Sequence, residues 1–164
     1  MTQQEYENKI KELQDKLERL KAAKIEAEQP KRWKPKGDEE YWGVDYNGLI
    51  FKNSCGNDDV DNWCYLTGNC FKTKEETEYY KKQIEYTARY KNYIEEHSEP
   101  LDWNNRNQIK YSAWFGFTSK EVHTEQTAQG KHQGAIYASS EQIILDAIKE
   151  IGEDNFKKYV LGVK

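Results

Sequence analysis

Apolar residues at Ile10, Leu13, Leu17 and Leu20 alternate steps of three and four, with Tyr6 upstream and Lys24 and Ala27 continuing the stripe weakly. That spacing predicts a helix over 3–28 with an a/d heptad seam flanked by Lys and Glu. A single helix this polar cannot bury its seam alone. It pairs with a copy of itself or lies on the domain, and we take self-association into a dimer or trimer as the expectation. Pro30, Pro35 and Gly37 then interrupt the pattern, so 30–37 reads as a short basic linker.

From Tyr41 the period shortens. "YWGVDYNGLIFKN" holds two strands joined at Tyr46-Asn47-Gly48, where Asn-Gly signals a type I′ hairpin. "NSCGNDDVDN" (53–62) reads as a loop and "WCYLTG" (63–68) as a third strand. Residues 74–97 form a long helix, with Tyr80, Ile84, Ala88 and Tyr90 on or near one face. The second half repeats the order. "IKYSAWFGF" and "KEVHTEQ" form a hairpin, "AIYA" (135–138) a third strand, and 140–150 a helix broken at Gly152, with a short final helix after it.

The repetition carries a signature. "GNCFKTKEE" (68–76) and "GAIYASSEQ" (134–142) both fit Gly-x-x-aromatic-x-Ser/Thr. Thr73 with Glu76, and Ser139 with Gln142, read as capping boxes opening each helix. The expected fold is therefore α+β. A coiled-coil helix (1–29) and a linker (30–37) precede a duplicated β-β-β-α unit (38–100 and 101–164), with antiparallel sheets and helices packed on one face.

Composition changes the picture in two ways. Mean hydropathy is −1.12 and hydrophobic residues make up 36% of the 164. Yet 13% are aromatic, which disordered chains are not, so the core is thin and aromatic-rich. Charge is unevenly spread. Residues 1–36 carry ten Lys/Arg against seven Asp/Glu, 37–100 carry seven against fourteen, and 101–164 carry eight of each. The globular part lacks the basic excess that duplex nucleic acid demands, which disfavours that class of partner.

Chemistry-bearing motifs are sparse. Cys55, Cys64 and Cys70 are odd in number and fit no zinc spacing, so they read as free thiols of a reducing cytosol. Asn57, Asp58, Asp59 and Asp61 suggest calcium, but the loop lacks the Gly and Glu that an EF-hand needs at its sixth and twelfth positions. His97, His123 and His132 include no i, i+4 pair, and "TAQGKHQG" (127–134) does not match phosphate-loop spacing. No leader, membrane span, cofactor motif or catalytic set stands out, so a cytoplasmic, non-enzymatic protein is expected.

The candidate site is "DWNNRNQIKYSAWF" (102–115). Its amides both donate and accept hydrogen bonds, Arg forks onto phosphate, and Trp and Tyr offer π-faces. That is the set used to hold a base and its phosphate. Trp103, Asn104, Asn105, Arg106, Lys110, Tyr111 and Trp114 are the expected ligand residues, with Arg32 of the linker contributing if the helix oligomerises. The competing reading is an Asn-rich turn with Trp103 folded back onto the core.

The stretches "WKPKGDEEYW" (33–42), "DNWCYLTGNCFKTKEETE" (61–78), "DWNNRNQIKY" (102–111) and "IYASSEQIILDAIKEIGEDNFKKYVLG" (136–162) together resemble an uncharacterised accessory protein family of phages and mobile elements of Gram-positive bacteria. The loop after Phe117 departs from that pattern. The resemblance brings no activity with it; together with the oligomerising helix and the absence of a catalytic set it motivates a role in the host bacterial cytosol against antiviral immunity, and the aromatic and amide residues of 102–115 favour sequestration of a nucleotide-type signalling molecule. Alternatives are a direct inhibitor of a host defence protein, including the anti-CRISPR type, with the acidic 37–100 region meeting a basic surface, and a DNA-binding regulator. The Phe-x-Thr-x-x-Glu junction also resembles the arm-binding domain of phage tyrosine recombinases, although the acidic first unit argues against the same role.

Overall fold

The computed structural model describes residues 8–19 and 32–163. It divides into two compact units, Met1–Lys34 and Pro35–Lys164. In the first, residues 8–19 are helical (α1) and exposed throughout, including Ile10, Leu13 and Leu17 of the heptad seam. The rest of the expected helix, with Tyr6, Leu20, Lys24 and Ala27, lies outside the described residues, as does the start of the linker.

The second unit mixes helices with two small antiparallel sheets. β1 (Glu40–Val44) pairs with β2 (Ile50–Ser54), Val44 facing Ile50. The hairpin is where Asn-Gly places it, but the turn is not type I′. Among its residues only Gly48 has positive φ, and its N–H donates to the Asp45 carbonyl at 3.0 Å. The Asp45 carboxylate accepts from the N–H groups of Asn47 and Leu49, which holds a type I turn closed by a left-handed glycine.

Residues 63–68 are not a strand. They lie in and just after α2 (Asp59–Thr67), which also absorbs the end of the expected loop. Caps decide the matter. Asp58 and Asp61 form a reciprocal capping box, and left-handed Gly68 returns its N–H to the Cys64 and Tyr65 carbonyls. Cys and aromatic side chains carry a strand preference that this local hydrogen bonding overrides.

α3 (Lys74–His97) opens with the expected Thr73–Glu76 box. Its packed face runs through Thr77, Tyr86, Tyr90 and Ile94, whereas Ile84 and Ala88 are exposed. β3 (Lys110–Gly116) and β4 (Glu121–Thr127) form the second hairpin. The third strand expected at 135–138 shrinks to one bridge between Ala138 and Tyr111. Phe71 makes the matching bridge to Trp42. In each case the bridging residue stands two positions before a helix cap, at Thr73 and Ser140.

Ser140, not Ser139, caps α4 (Glu141–Ile151). The Ser139 hydroxyl instead accepts from the Glu99 N–H, while its own N–H donates to the Ser98 hydroxyl. With the cap one residue later, the third helical position is Ile143, so Gln142 closes no box. After Gly152, a short α5 (Glu153–Asn155) runs into a π-helical turn, Phe156–Val160, where the Leu161 N–H reaches back to Phe156.

The core gathers Tyr90 and Ile94 of α3, the bridge residue Ala138, Phe156, and Ile144, Ala147, Ile148 and Ile151 of α4. Tyr111, Ala113 and Val122 of the second hairpin pack against it. The first hairpin has a smaller centre. Tyr41 is wholly buried and donates to the Asp61 carboxylate at 2.8 Å, with the Cys64 thiol close by; Cys55, Cys64 and Cys70 are all buried and none is in a disulfide. Burial pushes the Cys64 thiol up, away from thiolate chemistry. No described helix is long and apolar enough to cross a membrane.

Burial alone would raise the Asp61 carboxyl, but hydrogen bonds from Tyr41 and the N–H groups of Gly56, Asp58 and Asn57 outweigh it and hold it below the usual aspartate range. A depressed folded value adds stability that is fully present above the ordinary aspartate value of about 3.9, and that is lost as pH falls through the folded value. Asp61→Asn should therefore be less stable than the parent near neutrality, with the gap closing on acidification. Urea midpoints of both proteins across the acid range check this; a constant gap contradicts it. The Tyr90 hydroxyl is buried without a hydrogen-bond partner. An orphaned polar group costs about 1–3 kcal/mol, so Tyr90→Phe should match or exceed parent stability in the same assay.

Candidate ligand-binding face

Pleating sorts the 102–115 stretch onto two sides. Tyr111, Ala113 and Phe115 share one face of β3, and Lys110, Ser112, Trp114 and Gly116 share the other. Tyr111 and Ala113 pack on the core, so the Lys110 side faces away from it. Directly opposed residues lie on the same face. The register therefore adds Glu121, His123, Glu125 and Thr127 of β4.

At one end sits Lys110, fully buried. Its Nζ donates to the carbonyls of Gln108 at 2.8 Å, Asn105 at 3.1 Å and Ala128 at 3.4 Å. An ammonium has three N–H donors, and three carbonyls take them. Lys110 is thus committed to the protein's own backbone, which corrects its expected role as a phosphate ligand. The loop before it is fastened in the same manner. Asp102 accepts from the Asn104 N–H and Asn105 from the Asn107 N–H. Gln108 accepts from the Asp102 N–H and donates to the Pro100 carbonyl.

Trp103 is half-buried and meets Tyr137 edge-on, with centroids 5.0 Å apart. The Lys110 and Lys131 ammoniums each lie 5.3 Å from its ring centre. Trp103 has folded back, as the competing sequence reading has it, yet its ring still borders the outer face. Next along the strand, the Ser112 hydroxyl donates to Glu125 at 2.9 Å, and His132 Nε2 stands 3.8 Å from the same carboxylate oxygen.

The far end is open. Trp114 is 45% exposed and lies against the His123 ring, with centroids 4.8 Å apart and planes tilted by 31°. His123 Nε2 and the Ser119 hydroxyl are 2.6 Å apart. Position 116 must be glycine for this pair to exist, because a Cβ there would overlap the Ser119 hydroxyl and approach His123 Nε2 to 2.9 Å. The turn that delivers Ser119 holds Lys120 in the left-handed region, its N–H returned to the Gly116 carbonyl at 2.7 Å. A serine beside an imidazole is two-thirds of a nucleophilic triad, but among the described residues no carboxylate bonds the other nitrogen of His123 to orient it. The pair is a hydrogen-bonding group next to an aromatic plane.

Of the expected site residues, Trp103, Lys110 and Trp114 share the outer face. Tyr111 points into the core, which removes it from a site shared with Trp114. Asn104, Asn105 and Arg106 occupy the exposed turn before β3, and Arg32 belongs to the other unit. His123, Glu125, Ser119 and Lys131 were missed. Period-two alternation in "EVHTEQT", set against "KYSAWFG", carries the signal for the two β4 residues. Elsewhere, an open groove of about 450 Å³ runs between α3 and the π-helical turn, over Ile84, Ala88 and Val160, and includes none of the expected site residues.

Lys110→Met should lower stability by about 3 kcal/mol, since bonds to charged groups contribute about 1.5–3 kcal/mol each and the carbonyls are left without them. Arg106→Ala, on the exposed turn, should change stability by less than about 0.5 kcal/mol. Denaturant unfolding of the two variants distinguishes the structural lysine from the free cation. The chain matches no protein-family model, no curated protein sequence and no solved structure.

Proposed function

We propose that the protein is a non-enzymatic binding protein that holds a planar, anionic ligand of nucleotide type on the outer face of the β3–β4 hairpin. The exposed Trp114 ring, set beside the hydrogen-bonding His123–Ser119 pair, carries this reading. An exposed indole gives a base a stacking surface that tolerates any sequence or substituent, and the pair supplies an in-plane polar contact. Phosphate would meet exposed Lys120 on the turn beside Ser119, and a ligand long enough to reach the Trp103 end would also meet exposed Arg106 and Lys131, rather than buried Lys110. The motif resemblance to phage accessory proteins turns such binding into a biological role: withdrawal of a nucleotide signal from bacterial antiviral immunity. In the same reading, residues 3–28 join copies through the heptad seam, and the two bridged hairpins with their capped helices are copies of one ancestral unit.

A thermal-shift screen against mono-, di- and cyclic nucleotides, including ADP-ribose-derived cyclic signals, tests it. A ligand at a hundredfold excess over its dissociation constant adds about 2.7 kcal/mol, a rise of several degrees for a chain of this size. One nucleotide class should produce that rise, Trp114→Ala should abolish it, and Arg106→Ala with Lys131→Ala should weaken it. No rise from any nucleotide, or a rise that survives Trp114→Ala, overturns the proposal.

A further inference from the structure

A second surface, on the other hairpin's side of the chain order, carries a different kind of partner. α2 (Asp59–Thr67) turns Cys64 and Asp61 inward and Val60, Trp63 and Leu66 outward, the last three 61%, 61% and 79% exposed. Three large apolar side chains at steps of three form a slanted stripe along one side of the helix. Isolated tryptophans and leucines on a surface are ordinary; a contiguous stripe on one short helix is the signature of a docking surface.

The helix is also held ready. Nine residues do not form a stable helix by themselves. Here the Asp58–Asp61 capping box, the Gly68 cap and the buried Asp61–Tyr41 hydrogen bond fix it before any partner arrives. A preformed element spends little entropy on binding. These devices lie on the inner side of the helix or at its ends, away from the outer stripe.

Charge identifies the occupant. From Asn53 to Phe71 there is no Lys or Arg, while Asp58 and Asp59 are exposed; Asp61 is buried against Tyr41 and adds nothing to the outer surface. Residues 37–100 as a whole carry fourteen acidic against seven basic side chains. A second copy would lay this acidic surface on itself, and like charges across an interface oppose association. A basic rim removes that penalty.

We propose that the outer face of α2 docks into an apolar groove, bordered by Lys and Arg, on a protein other than this one. Trp63 is the central anchor, Val60 and Leu66 fill the groove on either side, and exposed Asp59 meets the rim. Helix-in-groove recognition reads this kind of spaced apolar anchor, and tryptophan is the residue type most concentrated at such binding centres. The inference does not depend on the nucleotide reading, because none of its residues belongs to the β3–β4 face.

The test places a photo-reactive benzoylphenylalanine at position 63 of the full chain in its native host cell, with a second chain carrying it at position 85 on the exposed side of α3. Irradiation should give an adduct to one protein from position 63 and not from 85. That protein, purified, should then bind the unmodified chain. Trp63→Ala should weaken binding about a hundredfold and Leu66→Ala about tenfold, in the range of anchor losses. Asp59→Lys and added salt should each weaken it further. These side chains are exposed, so near-ultraviolet dichroism should show every variant folded. The proposal is overturned by equal yields at 63 and 85, by an adduct to a second copy or to nucleic acid, or by purified partner binding that ignores Trp63→Ala, Leu66→Ala or Asp59→Lys.

Discussion

A buried ammonium surrounded by carbonyl oxygens is the fastening on which the second hairpin depends. Lys110 ties the turn at 105–108 to the chain at Ala128, beyond the end of the β3–β4 ladder where Lys110 faces Thr127. The same ammonium lies 5.3 Å from the Trp103 ring centre, so one charge serves the turn, the end of β4 and the indole together. A chain poor in aliphatic residues has few other means of doing this. It compensates by burying polar groups in satisfied pairs, Lys110 in one half and Asp61 with Tyr41 in the other. A buried charge is tolerable only when its hydrogen-bonding capacity is filled, and both of these are well supplied.

Aromatic side chains fill what remains. Tyr86 stacks on Tyr159 with planes 8° apart, and Tyr79 passes its hydroxyl to the Lys158 carbonyl. Tyr90 packs on Phe156. Each ring covers as much area as two or three small aliphatics and keeps a polar tip for the rim of the core. The α3 contact with the π-helical turn is therefore made largely of tyrosine. This explains how a mean hydropathy of −1.12 is compatible with a packed centre.

The hairpins and the long helix were legible in the sequence because their signals are local: Asn-Gly, period-two alternation, and Thr73 with Glu76. α2 was not, since the strand preference of Trp63-Cys64-Tyr65 is visible in the letters while the Asp58 cap reads equally well as an acidic loop. Ser139 and Ser140 could not be separated for a similar reason. Which hydroxyl caps the helix is settled by Glu99, forty residues away, occupying the other. The candidate face was half legible. Trp103 and Trp114 stand where the letters place them, on or beside that face, but whether Lys110 meets solvent or carbonyls depends on where residues 105, 108 and 128 fold, and no spacing encodes that.

The absence of a side chain at Gly116 has a consequence for how this face can diversify. The Ser119–His123 pair fills the space a Cβ would take, so any change there disturbs both groups at once. Trp114, two residues away, packs on the His123 ring but keeps 45% of its surface exposed, so its side chain is less confined. The two positions are therefore unequal in what they tolerate: a different aromatic ring at 114 leaves the Ser119–His123 bond its space, whereas any side chain at 116 takes that space away.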